Sequence, residues 1–75
     1  MTAYKLLRDR GGIYVVHTGD MPRAWVSPGE DPASWFGREV GSPRVREFRF
    51  PFGAPKSERD AARQVAAMLL GGEVR

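Results

Sequence analysis

Few residues of this chain are of a type and spacing that could carry chemistry. The single histidine, His17, stands three residues before Asp20. That pair could serve a small hydrolase or nuclease as base and orienter, but a metal centre wants three or four ligands. A strand or turn histidine bonded to backbone accounts for His17 more simply. Glu30 and Asp31 are adjacent carboxylates, as acid–base chemistry would use. A turn followed by a helix cap explains them fully. Ser27, Ser34 and Ser57 lack a nucleophile-elbow context. No phosphate-cradling glycine loop occurs, and the lone "RGG" is a hairpin turn. There is no cysteine, which excludes a disulfide, a thiolate zinc site and a cysteine nucleophile. The expectation is a non-enzymatic protein with no cofactor and no metal.

The arginines are the stronger chemical signal. In "PRVREFRFPF", residues 43 to 52, Arg44, Arg46 and Arg49 are interleaved with Phe48, Phe50 and Phe52. One reading is a nucleic-acid strand, with arginines on phosphates and Phe48 or Tyr14 stacking bases. The other is an edge strand with a solvated basic side, where charge prevents edge-to-edge aggregation. So small a chain needs its aromatics for a core, which favours the edge strand. Arg59 and Arg63, near Lys56, share a helix face and could extend the strand arginines into one basic patch. Glu58 and Asp60 sit among them, as on an ordinary solvated face. The formal net charge is only +3.

The elements that must position these residues fit one small domain spanning residues 1–75. A chain of 75 residues buries only about 60% of its unfolded surface, so it needs unusually good packing or oligomerisation. The usage of Arg, Ala, Gly and Pro suggests GC-rich codons, hence a bacterial or phage source. Leu6 and Leu7 are flanked by Lys5 and Arg8, and "IYVV" is too short for a signal core. No stretch reaches the ~18 apolar residues of a spanning helix. A cytoplasmic protein without membrane partners is expected.

"AYKLLRD", "RGG" and "IYVVHT" form a β-hairpin, with Gly11 and Gly12 supplying positive φ at the turn. A two-residue loop would put Tyr4 and Leu6 on the face of Ile13 and Val15. A three-residue loop would put them with Tyr14 and Val16. In both cases both faces carry apolar side chains. "GDMP" turns the chain and "RAWVS" is a third strand. Asp31 as cap and Pro32 at the first helical position predict a short helix ended by Gly37 or Gly41. "PRVREFRFPF" is the fourth strand, bracketed by Pro43 and Pro51 and therefore at an edge. A bulge near Arg46 or Glu47 would align Val45 with Phe48 and Phe50. "SERDAARQVAAMLLGG" is a helix capped by Ser57 and stopped by Gly71, with Asp60 in an acidic capping box. Ala61, Ala62, Val65, Met68 and Leu69 form its apolar stripe.

The fold class is therefore α+β: an antiparallel sheet of three or four strands with a C-terminal helix on one face, in the order β-β-β-(short α)-β-α. One long and one short helix do not cover two apolar sheet faces, so the second face calls for another molecule. Trp25, beside Arg23 on a short strand, is expected at the surface, with Trp35 in the core. Trp25, Arg23 and Tyr14 are the candidate protein-binding residues, and tryptophan is a common interface anchor. Gly12, Tyr14 to Val16, Asp20, Met21, Pro22 and Gly29 also follow a pattern that resembles the start of HicB-type antitoxins. That resemblance covers under a third of the chain and implies a non-enzymatic, toxin-binding partner. The sequence departs from it at Arg23 and at Gly37. The preferred function is a protein-interaction module, a regulator or inhibitor whose partner is another protein or a second copy. The alternative is a nucleic-acid-binding module using Arg44, Arg46, Arg49, Arg59 and Arg63.

Overall fold

A computed structural model describes residues 4–31, 33–50, 55–72 and 74. Pro32, Pro51 and Phe52 lie outside the described residues. Five strands form one antiparallel meander, β1 (Lys5–Arg8), β2 (Tyr14–Thr18), β3 (Met21–Pro28), β4 (Ser34–Glu39) and β5 (Arg46–Arg49), paired in chain order. One helix, α1 (Glu58–Leu70), follows. The class is α+β, with one strand more than the sequence pattern predicts.

The extra strand replaces the predicted short helix. The Asp31 carboxylate accepts from the Ala33 N–H at 2.9 Å, and Asp31 O accepts from the Ser34 N–H at 3.0 Å. Gly29 N–H donates to Ser34 O at 2.7 Å. An aspartate that could cap a helix instead closes a hairpin turn. Trp35 and Phe36, good strand formers, then extend β4 against both neighbours.

The first hairpin turns through Arg10–Gly12, with Gly11 at φ 69° and Gly12 at φ 78°. Only glycine adopts two such values in succession without strain. Its register pairs Leu6 with Val16 and Arg8 with Tyr14, so Leu6 shares a face with Tyr14 and Val16. The bulge lies between Val16 and His17, where β2 meets β3. β5 has none: Ser34, Trp35, Phe36 and Gly37 pair in strict succession with Arg49, Phe48, Glu47 and Arg46. Arg46 and Phe48 therefore share a face, and the guanidinium carbon lies 5.0 Å from the Phe48 ring centroid. A cation over the ring resolves the mixed Arg–Phe face without a bulge.

Ser57 caps α1 by accepting from the Asp60 N–H at 3.0 Å, and Gly71 closes it. Ala61, Ala62, Val65, Ala66 and Leu69 are its buried residues, whereas Met68 is 48% exposed. Ala66 thus stands in the buried stripe in place of Met68. These small residues let α1 lie close over Leu6, Tyr14, Val16, Ala24, Val26, Trp35 and Phe48. At Gly37 an added Cβ would stand 3.1 Å from Leu69 Cδ2 and 3.2 Å from Phe48 Cε2. Near the chain's end, Val74 is buried and bridges Tyr4 in parallel. Among the described residues, no helix is long and apolar enough to cross a membrane.

Candidate functional site

Side chains alternate across a strand, so a sheet covered by one helix turns a second set of residues away from it. Strand pairing arranges that set in two rows. Leu7, Val15, Trp25 and Arg38 are successive partners from β1 to β4. Ser27, Phe36 and Glu47 are successive partners from β3 to β5. Ile13 borders the same hollow as Ser27 and Phe36, as does Val45. No described element packs on this face. Leu7 is 44% exposed, Ile13 40% and Val45 58%, while Trp25, Ser27 and Phe36 are half-buried. The hollow is shallow, holds about 340 Å³ and has Ser27 between Trp25 and Phe36.

Charge enters the hollow through Arg38 and otherwise lies at the β5 and β1 sides of the face. The Arg38 guanidinium carbon lies 4.8 Å from the Trp25 ring centroid, a stacked cation that holds the indole in place. At the opposite corner Glu47 accepts from the buried Ser34 hydroxyl at 3.0 Å and lies 3.7 Å from Arg49 Nε. Arg49 Nη1 is 3.5 Å from Asp31 Oδ2. Arg49 is thus shared by two carboxylates. Arg38 has none among the described residues.

The structure separates the three residues singled out for protein binding. Trp25 stands on the open face. Tyr14 does not: it is 3% exposed, on the helix-covered side, with its ring centroid 6.2 Å from that of buried Trp35. The hairpin register, which aligns it with Leu6 and Val16, puts it there. Arg23 is the residue that the bulge leaves without a β2 partner, its carbonyl accepting instead from the Val40 N–H at 2.9 Å, and it borders a cleft with Tyr4, Glu39 and Leu70. A regular strand would have kept it on the Trp25 face.

The five arginines do not form one patch. Arg44, Arg46 and Arg49 follow the β5 edge, whereas Arg59 Nη2 donates to Leu6 O of β1 at the opposite edge, 3.2 Å away. Arg63 pairs with Asp60 at 2.7 Å. Phe48 and Tyr14, the rings considered for base stacking, are buried. The Asp60 carboxyl is held below its ordinary value of 3.8 first by the Lys56 N–H and then by the Arg63 hydrogen bond, with burial opposing them and Gln64 adding less. His17 is half-buried on β2 and Asp20 is exposed in the following turn. Among the described residues no three acidic or histidine side chains gather as a metal site would require.

Sequence reasoning missed Phe36, Arg38 and Val45 as parts of one surface. With residues 34–39 taken as a strand, the alternation of Phe36 and Arg38 with Trp35 and Gly37 would have found the first two. No family model, no curated protein and no solved structure matches the chain.

Proposed function

We propose that this chain is a small non-enzymatic binding module that docks a protein on the open face of its sheet, as a regulator or inhibitor acting by occupancy would. One observation carries the reading: the face turned away from α1 presents Leu7, Ile13, Trp25, Phe36 and Val45 around one shallow hollow, with buried Val15 beneath them and Arg38 stacked on Trp25 within it. Soluble monomers seldom leave an apolar patch of several hundred Å² uncovered. An aromatic anchor braced by an arginine, ringed by aliphatic groups, is the composition of a protein-binding hot spot. The aliphatic members favour protein over nucleic acid, because base stacking draws on aromatic faces and phosphate contacts on cations.

The test is binding of an apolar reporter dye, 8-anilinonaphthalene-1-sulfonate, to the native chain. Its fluorescence should rise with the wild type and fall to background in a Leu7→Glu, Val45→Glu double variant with unchanged circular dichroism. Equal dye binding by both proteins would place the exposed apolar surface elsewhere and overturn the reading.

A further inference from the structure

Resting on that reading, we infer that the occupant of the open face is a second copy of this chain, packed sheet to sheet about a two-fold axis running across the strands between the two rows. In a two-fold contact residue i meets residue j and j meets i. With the axis so placed, each strand's residue in one row lies over the same strand's residue in the other row. On β3 this sets Trp25, the bulkiest group of the face, over Ser27, the smallest. Ser27 lies in the 340 Å³ hollow, so the hollow has the place and scale to receive the second copy's indole. On β2, Val15 lies over Ile13, while beside β1 Leu7 lies over Asp9 and beside β5 Val45 lies over Glu47. On β4, Arg38 lies over Phe36 and beside Glu47 of β5.

Charge supports the same occupant. The face carries Lys5, Arg38 and Arg49 against Asp9, Asp31 and Glu47, and Arg49 is already shared by the last two. That near balance offers little to a polyanion. A two-fold partner gives Arg38 a carboxylate, twice, through Glu47. Chain length adds a separate reason: a cysteine-free chain of 75 residues has no disulfide to support its core, and oligomerisation is one way to complete it.

Size sets the expected strength. Five strands at ~4.8 Å spacing and about 20 Å of strand length give roughly 500 Å² per copy. The total, near 1,000 Å², is at the lower limit for a specific interface, which points to a dimer in exchange with monomer at micromolar concentration.

Sedimentation velocity of the full chain over a concentration series tests this. Wild type should pass from monomer to dimer. Arg38→Glu and Glu47→Arg should each weaken self-association at least about tenfold by opposing like charges. An equimolar mixture of the two variants should restore a heterodimer, because at both symmetry-related contacts an acidic side chain of one copy then meets a basic one of the other. Misfolded variants cannot produce that recovery. Ser27→Arg should abolish the dimer by filling the hollow. A dimer indifferent to all these changes would overturn the inference. A chain that stays monomeric throughout would overturn it too; if it still binds the apolar dye through Leu7 and Val45, the docking face stands with a different protein as occupant. Monomer without dye binding would remove both.

Discussion

Arg38 stacks on Trp25 with 4.8 Å between guanidinium carbon and ring centroid, on a sheet face that no described element covers. The contact fixes the larger of the two aromatic side chains that line the hollow of that face. A rigid indole loses little rotamer freedom on binding, so less of its buried area is offset by ordering. Arg38→Ala is therefore expected to reduce occupancy of the face while leaving the fold intact. Isothermal dilution of the concentrated chain should show a dissociation constant raised about fivefold, in line with a cation–π contact of ~1 kcal/mol. No change would mean that Trp25 is held without Arg38.

Gly37 lies on the helix-covered side of β4, against Leu69 of α1 and Phe48 of β5. A methyl group there would press on Leu69 and Phe48 at 3.1 and 3.2 Å. Gly37→Ala should lower stability by about 1–2 kcal/mol, as overpacking does. Chemical denaturation should show the midpoint falling with an unchanged slope.

The start of α1 titrates. The carboxyl of Asp60 is held below 3.8, first by the Lys56 N–H and then by Arg63. A carboxyl depressed in the folded state contributes stability that is complete above its unfolded value and lost as pH falls through the folded one. Melting temperature should therefore drop across the acid range below about pH 4. In Asp60→Asn that part of the drop should be missing. Ser57→Ala, which removes the cap itself, should cost about 1 kcal/mol at every pH.

The β5 arginines and the α1 arginines lie at opposite edges of the sheet, and Arg49 and Arg63 are already ion-paired. Fluorescence anisotropy with short labelled DNA and RNA should show only weak binding that disappears at physiological salt. Binding that persisted there with a log-linear salt slope, and whose slope fell in Arg44→Ala, Arg46→Ala, would revive the nucleic-acid alternative.

The sequence made the helix legible end to end, because Ser57, Asp60 and Gly71 each leave a local signal that tertiary contacts do not override. Its stripe was legible to within one residue: Met68 is long enough to lie at the boundary, so the small Ala66 takes the inward position. The edge position of β5 was legible in its charges and prolines. β4 was not, since an aspartate before a proline starts a helix or a turn equally well, and only the bonds of Gly29 and Ser34 decide for the turn. That single ambiguity hid the site. Phe36 and Arg38 have a face only once residues 34–39 alternate as a strand. The bulge at Val16 and His17, which carries Arg23 away from Trp25, has no sequence signal that we can identify.

The most direct measurement is a concentration series of nitrogen-15 NMR spectra, following the indole N–H signals of Trp25 and Trp35 together with the backbone amides. On self-association through the open face, the Trp25 indole should shift together with the amides of Leu7, Val15, Ser27 and Phe36, while Trp35, only 4% exposed beneath α1, should stay still. Shifts confined to α1 or to the β5 arginines, with Trp25 unmoved, would contradict a docking role for this face.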